Sequence, residues 1–380
     1  MPKLTMLVGV PASGKSVAAQ ELVARAGGIA ISSDAIEREL QAQATQGNGT
    51  LKDRNQAVFA AVQDQLMQAL QAGQDVVLDA RLRAPKYRRP YLELARRHGY
   101  DTEALFLNVP FEVAVEQSRN AAHPVSEAAI RRYERYLQIP TYAEAFDRVS
   151  VRTSEAVVDE ARAYFQEQRS RLLDDPVGLI RELEGDGRLA SWLPELHRAI
   201  PIDQHNPHHR FTVYEHILKA TTTVAGTSLK MVWTMLLHDV GKAYPGIKQF
   251  TGVVTQEYGP FRKKERVVIE NGADIREGRD SGDVYVVRGE RIPKEYVSTN
   301  LNGHFYDHEN LGAQLAFRVL TRLGYEHDFA LEVATLIQFH MTMPRDIEQE
   351  QLTTIRKWYR KVGRYAADLM MVRLADHRGK

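Results

Sequence analysis

The stretch "GVPASGKS", Gly9–Ser16, decides the fold of the N-terminal part of this 380-residue chain. An apolar run, "KLTMLVGV" at 3–10, leads into it, and "VAAQELVARA", of helical composition, follows it. The stretch fits the pattern G-x-x-x-x-G-K-[ST], in which a glycine loop turns its backbone N–H groups toward phosphate oxygens at the start of a helix. A strand, this loop and a helix in that order predict a site for the phosphates of a nucleotide.

Individual residues of the loop have distinct expected roles. Lys15 would neutralise charge on the β- and γ-phosphates, and Ser16 would be a ligand of Mg²⁺. The expected cofactor is therefore ATP or another NTP with Mg²⁺. The predicted nucleotide-binding residues are Gly9, Ser13, Gly14, Lys15, Ser16, Asp79 and Arg119.

Strands and helices alternate after the loop. "GIAISSD", "QDVVLDA" and "DTEALFLNVP" are typical of buried strands, and stretches of helical composition separate them. Alternation of this kind predicts parallel βαβ units and an α/β layer architecture. We predict an α/β domain over residues 1–152, with a parallel sheet flanked by helices.

Two carboxylates are expected at the carboxyl ends of these strands, where α/β sheets bind ligands. Asp34, in "AISSDAI", would deprotonate an attacking hydroxyl or, alternatively, cap a helix. Asp79, in "VVLDA", is suited to the Mg²⁺ shell. The stretch "RLRAPKYRR" at 81–89 carries five cations and no acid, which indicates either a solvated face or a contact with phosphates of the acceptor.

The second half of the chain differs in composition. Of the 13 histidines, only His98 and His123 precede residue 190. The chain has no cysteine, which leaves histidine and carboxylates as metal ligands. The net charge of +1 excludes a broad cationic coat. No run of about 18 apolar residues is present, so we expect no membrane partner and a cytoplasmic location.

The pattern after residue 152 predicts mainly helices. Residues 153–190 are expected to form a helical linker, and residues 191–380 an all-α domain. A stretch rich in glycine, charge and short β-like runs, about 244–303, is expected to be a small β-rich insertion. The predicted helices of the all-α domain are 212–224, 228–238, 308–323, 328–340 and 352–377.

An apolar run in this domain, "WTMLLHDVGK", ends in His238 and Asp239. A buried His-Asp pair is costly unless it is hydrogen-bonded or binds a metal. Imidazoles with a bridging carboxylate suit divalent transition metals, and a pair of such ions suits hydrolysis of phosphate esters. The other candidate ligands in helical, apolar surroundings are His216, His308, His340 and Asp376.

Several neighbouring residues admit two interpretations. His304 competes with His308 as a ligand. His205, His208 and His209 would contact substrate or only cap and pack. The basic stretch "RKKER" at 262–266 is either a solvated turn or a contact with a phosphate backbone.

Residues 1–150 resemble the polynucleotide 5′-hydroxyl kinase module through "GVPASGKS", "ISSDAI", "VVLDA", "RN" at 119–120 and "IPTYAEAFD". The resemblance implies that Asp34 is the general base and that Arg119 lies in a lid over the nucleotide. The chain departs from the module at Glu37, where an acceptor-binding Arg is usual, and at His123, where the lid often has a second Arg. "DARL" replaces the module's "DATN".

Residues 200–378 resemble the HD-domain phosphohydrolases, and especially the HD domain attached to CCA-adding nucleotidyltransferases. "HNPHHRFTVYEHIL", "LLHDVGK", "HENLGA" and "LADHRG" carry the resemblance. It implies that Asp239 bridges one or two divalent transition metals (Mn²⁺, Co²⁺, Ni²⁺, Zn²⁺ or Cu²⁺) and that Lys242 contacts the scissile phosphate. The implied metal ligands are His216, His238, Asp239, His308, His340 and Asp376.

The two resemblances together predict a bifunctional enzyme that heals RNA or DNA ends. The kinase would phosphorylate 5′-OH ends, and the HD domain would hydrolyse 2′,3′-cyclic phosphates or 2′/3′-monophosphates as a 3′-phosphatase. Its partners would be RNA or DNA ends, an NTP and a separate ligase. Two alternatives stay open: a small-molecule (nucleoside or nucleotide) kinase fused to an HD nucleotide phosphohydrolase, and a non-enzymatic nucleotide sensor that binds RNA.

Overall fold

The computed structural model of the chain describes residues 1–43, 50–207, 210–280, 282–344 and 351–380. The chain forms two compact units. The first unit comprises Met1–Ala156, Glu326–Leu331 and Pro344–Ala366, and the second comprises Val157–Tyr325, Glu332–Met343 and Ala367–Lys380. Within the described ranges, no helix has both the length and the apolar character needed to cross a bilayer.

The first unit alternates strands with helices from its N-terminus. The strands are β1 Lys3–Gly9, β2 Ile29–Ser32, β3 Val76–Asp79, β4 Asp101–Asn108 and β5 Arg148–Thr153. The helices are α1 Lys15–Ala26, α2 Ser33–Gln43, α3 Leu51–Gln71, α4 Pro85–Arg97, α5 Phe111–Arg119 and α6 Glu127–Tyr136.

The strands form one parallel sheet in the order β2-β3-β1-β4-β5. Strand β1 is buried on both faces, with Leu4, Met6 and Leu7 fully inaccessible, as a parallel sheet covered by helices requires. Strand β3 lies between β2 and β1. The chain segments that follow these three strands therefore meet at one edge of the sheet, which is where the candidate nucleotide site lies. The predicted α/β architecture is confirmed.

The chain after residue 157 is largely helical. The helices are α7 Asp159–Glu167, α8 Arg169–Asp174, α9 Pro176–Gly185, α10 Arg188–Trp192, α11 Pro194–His197, α12 Val213–Thr222, α13 Leu229–Leu237, α14 Gly272–Arg276, α15 His308–Arg322, α16 His327–Phe339, α17 Leu352–Val362 and α18 Ala366–Arg378. The strands are β6 Gln249–Val254, β7 Arg266–Ile269, β8 Val284–Val287, β9 Glu290–Pro293, β10 Val297–Ser298 and β11 Gly303–His304.

One predicted helix of this region is wrong in its continuity. The stretch 352–377 forms two helices, α17 and α18, separated by a 3-10 turn at Gly363–Tyr365. Gly363 adopts a φ of 55°, a left-handed backbone conformation that an α-helix does not contain. The glycine therefore ends α17, and the chain changes direction before α18 begins.

Helix α13 places the His-Asp pair at the centre of the second unit. The Ser228 side chain accepts a hydrogen bond from the Met231 N–H and so caps the helix, and every side chain from Met231 to Leu237 is buried. Trp233 donates from its indole N–H to the Tyr325 hydroxyl at 2.7 Å. The helix is thus fixed along its length, and the residues that follow it, His238 and Asp239, are held in the interior.

The predicted β-rich insertion is present as antiparallel structure. Strand β6 pairs with β7 on one side and with β10 and β11 on the other, and β8 pairs with β9 as a hairpin. The insertion has its own apolar core, which includes Phe250, Phe261 and Ile292. It is therefore an independently packed element between the two chain segments that carry Asp239 and His308.

Candidate functional site

The phosphate loop has the geometry that its glycines permit. Strand β1 ends at Gly9 and α1 begins at Lys15. A Cβ atom at Gly9 would lie 2.5 Å from the Ser13 Oγ and 3.0 Å from the Leu107 carbonyl oxygen, so a side chain does not fit there. Gly14, just before α1, adopts a φ of 85°. The loop thus turns the N-terminus of α1 back toward the sheet edge, as anion-binding loops do.

Lys15 reaches back over this loop. Its ammonium donates to the carbonyl oxygens of Gly9 at 3.2 Å and Val10 at 2.8 Å. Desolvation lowers the pKa of Lys15, although the nearby charges of Asp79 and Asp34 act to raise it. A cation held over the loop at the start of a helix is placed to neutralise phosphate charge.

Ser16 and Asp79, the two predicted oxygen ligands of Mg²⁺, lie in contact with each other. The Ser16 hydroxyl donates to Asp79 Oδ2 at 3.2 Å, across 63 residues of sequence. Burial raises the pKa of Asp79, and Lys15 opposes that shift. A hydroxyl and a carboxylate beside a phosphate loop are the hard oxygen ligands that suit Mg²⁺, so these residues fit the predicted ion.

Asp34 does not cap helix α2, which was the alternative to its predicted role as a general base. The Ser32 hydroxyl accepts a hydrogen bond from the Ala35 N–H at 3.3 Å, so Ser32 caps α2. Asp34 is exposed in the first turn of the helix. Its charge acts on both Lys15 and Asp79, which places it at the same sheet edge as the phosphate loop.

The basic run at 81–89 does not form one cationic face. Arg81 pairs with Glu37 at 2.5 Å and donates to the Asn55 side chain at 2.8 Å. Arg88 is fully buried and pairs with Glu144 at 2.7 Å. Arg88 therefore has a structural role, and the cations of this run face different surroundings.

Arg119 and Tyr133 complete the description of the first unit. Arg119 is paired with Glu127 at 2.6 Å, and both side chains are exposed, so its contact with a nucleotide remains a prediction. Tyr133 was not predicted. Desolvation raises the pKa of Tyr133 to about 12, and the charges of Asp79 and Asp34 act in the same direction, which places its side chain near both carboxylates. No motif marks this tyrosine, which lies in the middle of α6.

The second unit brings together all six predicted metal ligands. The Nε2 atoms of His216 and His238 lie 3.2 Å apart, and so do those of His308 and His340. The two oxygens of one carboxylate connect the pairs, because Asp239 Oδ2 lies 3.3 Å from His216 Nε2 and Asp239 Oδ1 lies 3.1 Å from His308 Nε2. Asp376 is the sixth member.

These residues form two groups that share Asp239, and in each group the ligand atoms lie within 4.8 Å of one another. The groups are His216, His238, Asp239 and Asp376, and Asp239, His308 and His340. All members are buried, and His304 belongs to neither group. This arrangement can hold one ion or a bridged pair.

The tautomers of three of these histidines fit a metal. In His238, His308 and His340, Nδ1 lies 2.6–2.7 Å from the carbonyl oxygen of the residue three positions earlier. Each Nδ1 therefore carries the proton and donates it, which leaves Nε2 with a lone pair directed into the cluster. The Nε2 atoms of His308 and His340 lie 3.2 Å apart. Their lone pairs therefore repel each other unless a cation lies between them. Nitrogen ligands with bridging carboxylate oxygens suit transition metals.

The members of the cluster differ in the direction in which their pKa values are shifted. Burial alone would lower the pKa of His216, but hydrogen bonds to Asp239 and Asp376 outweigh it and raise that pKa to about 9. Burial lowers the pKa of His238 to about 4. Burial would raise the pKa of Asp239, but Lys242 and the surrounding imidazoles hold it well below its usual value.

Lys242 is the cation nearest to the bridging carboxylate. Its ammonium lies 2.7 Å from Asp239 Oδ2 and also donates to the Gln204 Oε1 at 3.1 Å. Gln204 is buried, and its Nε2 donates to the carbonyl oxygen of Phe211 at 3.3 Å. Gln204 thus orients Lys242; a neutral amide in a loop carries no sequence signal, and it was not predicted.

His205 belongs to neither ligand group. His205 Nδ1 lies 2.8 Å from the Lys248 ammonium. His208 and His209, for which contacts with substrate or packing were expected, lie outside the described residues.

Metal binding is expected to release about one proton at pH 7. His216, with its pKa near 9, is protonated at that pH and must lose its proton to become a ligand, whereas His238, with its pKa near 4, is already neutral. Apparent affinity for Mn²⁺ should therefore rise up to tenfold per pH unit between pH 6 and 9. Calorimetric titration in two buffers of different ionisation enthalpy measures the released protons, and release of none at pH 7 would contradict this assignment.

A match to a known family agrees with a nucleotide-binding domain at the N-terminus. The family described as an AAA domain matches residues 4–140. The solved structures of a proposed kinase from Chloroflexus aurantiacus (TM-score 0.35, 44% of this chain and 95% of that one) and of a gluconokinase from Sinorhizobium meliloti (TM-score 0.31, 42% and 86%) are each 18% identical to the chain.

One curated relative matches a shorter stretch. The Multifunctional CCA protein of Alkalilimnicola ehrlichii is 39% identical over 92 residues. The match covers 23% of this chain and only 22% of the length of that relative. The matched family and the geometry of the loop together indicate a P-loop nucleotide-binding domain in the first unit, and the second unit contains a buried His/Asp cluster that could hold a metal ion.

Proposed function

We propose that the protein is a bifunctional phosphate enzyme, with an NTP-dependent kinase in the first unit and a metal-dependent phosphohydrolase in the second. The observation that carries the proposal is the presence of two sets of phosphate-handling residues with no residue in common. One set is Lys15, Ser16, Asp34 and Asp79 around the phosphate loop, and the other is the histidine cluster around Asp239 with Lys242.

In the kinase reaction, Asp34 accepts the proton of an acceptor hydroxyl. The hydroxyl oxygen then attacks the γ-phosphorus, the bond to the β–γ bridging oxygen breaks, and the nucleoside diphosphate leaves. Lys15 offsets the negative charge on the phosphates during this transfer, and Ser16 and Asp79 would hold a Mg²⁺ ion, which would supply further positive charge for the leaving group.

In the hydrolase reaction, Lys242 binds an oxygen of the phosphate ester, and the residues of the two ligand groups would hold the ions. Divalent ions held by these residues would supply a hydroxide at neutral pH, because coordination lowers the pKa of water to about 7. Asp239 keeps its negative charge for ligation, since Lys242 and the imidazoles hold its pKa well below its usual value. Every ligand is buried, so the charges of the cluster act on one another with little screening by solvent.

A small acceptor, a nucleoside or a nucleotide, agrees best with the first unit. Glu37 lies one helical turn after Asp34 and is paired with Arg81, so neither offers an unopposed charge to an acceptor phosphate. Arg88 is buried and Arg89 is paired with Glu93, so the run at 81–89 lacks the continuous cationic surface that a polynucleotide backbone requires. The second unit would then act on phosphate groups of nucleotides.

RNA or DNA end healing is the second candidate. The resemblance of both units to end-processing and CCA-adding proteins favours it, together with the 39% identity to the Multifunctional CCA protein. A kinase for 5′-OH ends and a hydrolase for 2′,3′-cyclic or 3′-phosphate ends also complement each other on a cleaved strand.

One panel of substrates tests both candidates. The protein with γ-labelled ATP and Mg²⁺ is offered nucleosides, nucleoside 3′-monophosphates and 5′-OH oligonucleotides, and phosphate release with Mn²⁺ is measured from mononucleotides and from oligonucleotide 3′ ends. We expect labelling and release with the mononucleotide substrates. Activity confined to oligonucleotides would establish end healing instead, and the absence of both activities would refute the proposal.

A further inference from the structure

The insertion of the second unit has a sheet face that its own core does not cover. Successive side chains of a strand point to opposite faces, so Gln249, Thr251 and Val253 of β6 share one face while Phe250 and Val254 are buried on the other. On β7, Val268 lies on the same open face and is 41% exposed. The open face is therefore formed by three adjacent rows of the sheet, with β6 in the middle, β7 on one side, and β10 and β11 on the other.

Cross-strand pairing places specific residues on this face. Val253 pairs with Ser298 on one side and with Arg266 on the other, and Gln249 pairs with His304. The face contains an open groove of about 370 Å³. Its lining includes Thr251, Val253, Arg266, Ser298, Asn300 and His304, and among the described residues none of those that line it is acidic.

An aromatic pair lies at one end of the groove. The rings of His304 and Tyr306 are stacked, with centroids 5.3 Å apart and planes inclined by 13°. Tyr306 is 41% exposed although it is large and aromatic. Burial and the charge of Arg266 lower the pKa of His304, so the imidazole is neutral at pH 7 and its face behaves as an uncharged ring.

Positive charge borders the other side of the groove. Residues 262–264 are Arg-Lys-Lys, all exposed, and they run directly into Arg266 at the start of β7. The acid between them, Glu265, is paired with Arg288 at 2.5 Å and accepts the Arg262 backbone N–H at 3.0 Å. Because Glu265 is already paired, the turn carries a net positive charge.

We propose that this open sheet face binds a single-stranded segment of nucleic acid. His304 and Tyr306 stack on the bases, the hydroxyl and amide groups along β6 and β10 bond to base and sugar edges, and Arg266 with the turn 262–264 contacts the backbone phosphates. Exposed aromatic rings beside cations on an open sheet are the chemistry that binds single strands without strict sequence preference. A protein partner would not need both the stack and the cationic border.

Binding of a single strand on this face does not depend on which acceptor the kinase uses. His304 precedes His308, a member of the second ligand group, by four residues, so a strand bound on this face would be held near the metal cluster. Binding and catalysis are nevertheless separate measurements, and either can fail without the other.

Fluorescence anisotropy with a labelled twelve-nucleotide oligouridylate tests the proposal, with EDTA present to remove metal-mediated contacts. Tyr306→Ala should weaken binding on the order of tenfold, the usual effect of losing one stacking contact. Arg266→Ala should weaken it and reduce the slope of log affinity against log salt by about 0.7, the value for one phosphate contact on a single strand. The matched control is Arg291→Ala, which removes an exposed cation from the neighbouring β8–β9 hairpin and should leave affinity unchanged.

Three outcomes would overturn the proposal: no binding by the unaltered protein, equal affinities for all variants, or an Arg291→Ala effect as large as that of Arg266→Ala. Hydrolysis of a small phosphate ester by the same variants should be unchanged. If that hydrolysis is absent in every protein while oligouridylate still binds, the proposed function fails and the binding face stands.

Discussion

Replacing Asp239 by Asn is expected to abolish metal-dependent phosphate release and to leave NTP-dependent phosphoryl transfer unchanged. Asp239 is the residue that the two ligand groups share, so the change removes the charge that links both ion positions. Bound metal ions stabilise the transition state by several kcal/mol, so their loss should lower the rate of hydrolysis by at least about 10³-fold. Metal content by mass spectrometry and phosphate release are the measurements.

The stability of this variant needs its own measurement, since Asp239 is buried and compensates Lys242 at 2.7 Å. Breaking a buried pair costs about 3–5 kcal/mol, although the Asn side chain keeps the volume and one acceptor. Retained kinase activity and an unchanged circular dichroism spectrum would show that the protein is folded. Lys242→Met provides a second variant, which should keep its metal and lose turnover.

His304→Asn is the matched control for the ligand assignment. The sequence makes His304 a rival of His308, but the structure leaves His304 outside both ligand groups. We expect full metal content in His304→Asn and loss of metal in His308→Asn. Loss of metal in His304→Asn, with full metal content in His308→Asn, would mean that His304 and not His308 is the ligand.

The sheet of the first unit illustrates what sequence patterns do and do not contain. Strands β1 and β3 and the second half of β4 are mainly apolar, because a parallel strand covered by helices is buried on both faces. Strand β5, Arg148–Thr153, is an edge strand with only Val149 deeply buried, so its polar pattern did not predict a strand. The strand order, which brings Ser16 to Asp79 across 63 residues, is a property of tertiary packing.

The histidine cluster shows a similar division. Its members were predicted from their apolar, helical surroundings and from the resemblance of their motifs to a known family. No local pattern shows that helices α12, α13, α15, α16 and α18 converge. The tautomers depend on carbonyl oxygens three residues before three of the imidazoles, a backbone feature that residue identity does not encode. Gln204 and Tyr133 were missed for a related reason, since each acquires its place only through folding.

The second large effect is expected from Lys15→Ala, which should reduce phosphoryl transfer by on the order of 10³-fold and leave metal-dependent phosphate release unchanged. The Lys15 ammonium lies over the loop, bound to the Gly9 and Val10 carbonyl oxygens, and is the cation placed to meet the γ-phosphate. Loss of this charge removes stabilisation that grows as the bond to the leaving group breaks. Labelled-phosphate transfer from ATP measures the effect.

Asp34→Asn separates general-base catalysis from nucleotide binding. Asp34 is exposed and does not cap α2, so the substitution should not destabilise the fold. Removal of a general base lowers a rate by about 10²- to 10⁴-fold, and the affinity for ATP should be nearly unchanged because the base contacts the acceptor. Glu37→Gln, one helical turn away and paired with Arg81, is the control that should retain most of the activity. If Asp34→Asn transferred phosphate at the normal rate, or if it lost ATP binding to the same extent as activity, Asp34 would not be the base, and another group at the sheet edge would have to accept the proton.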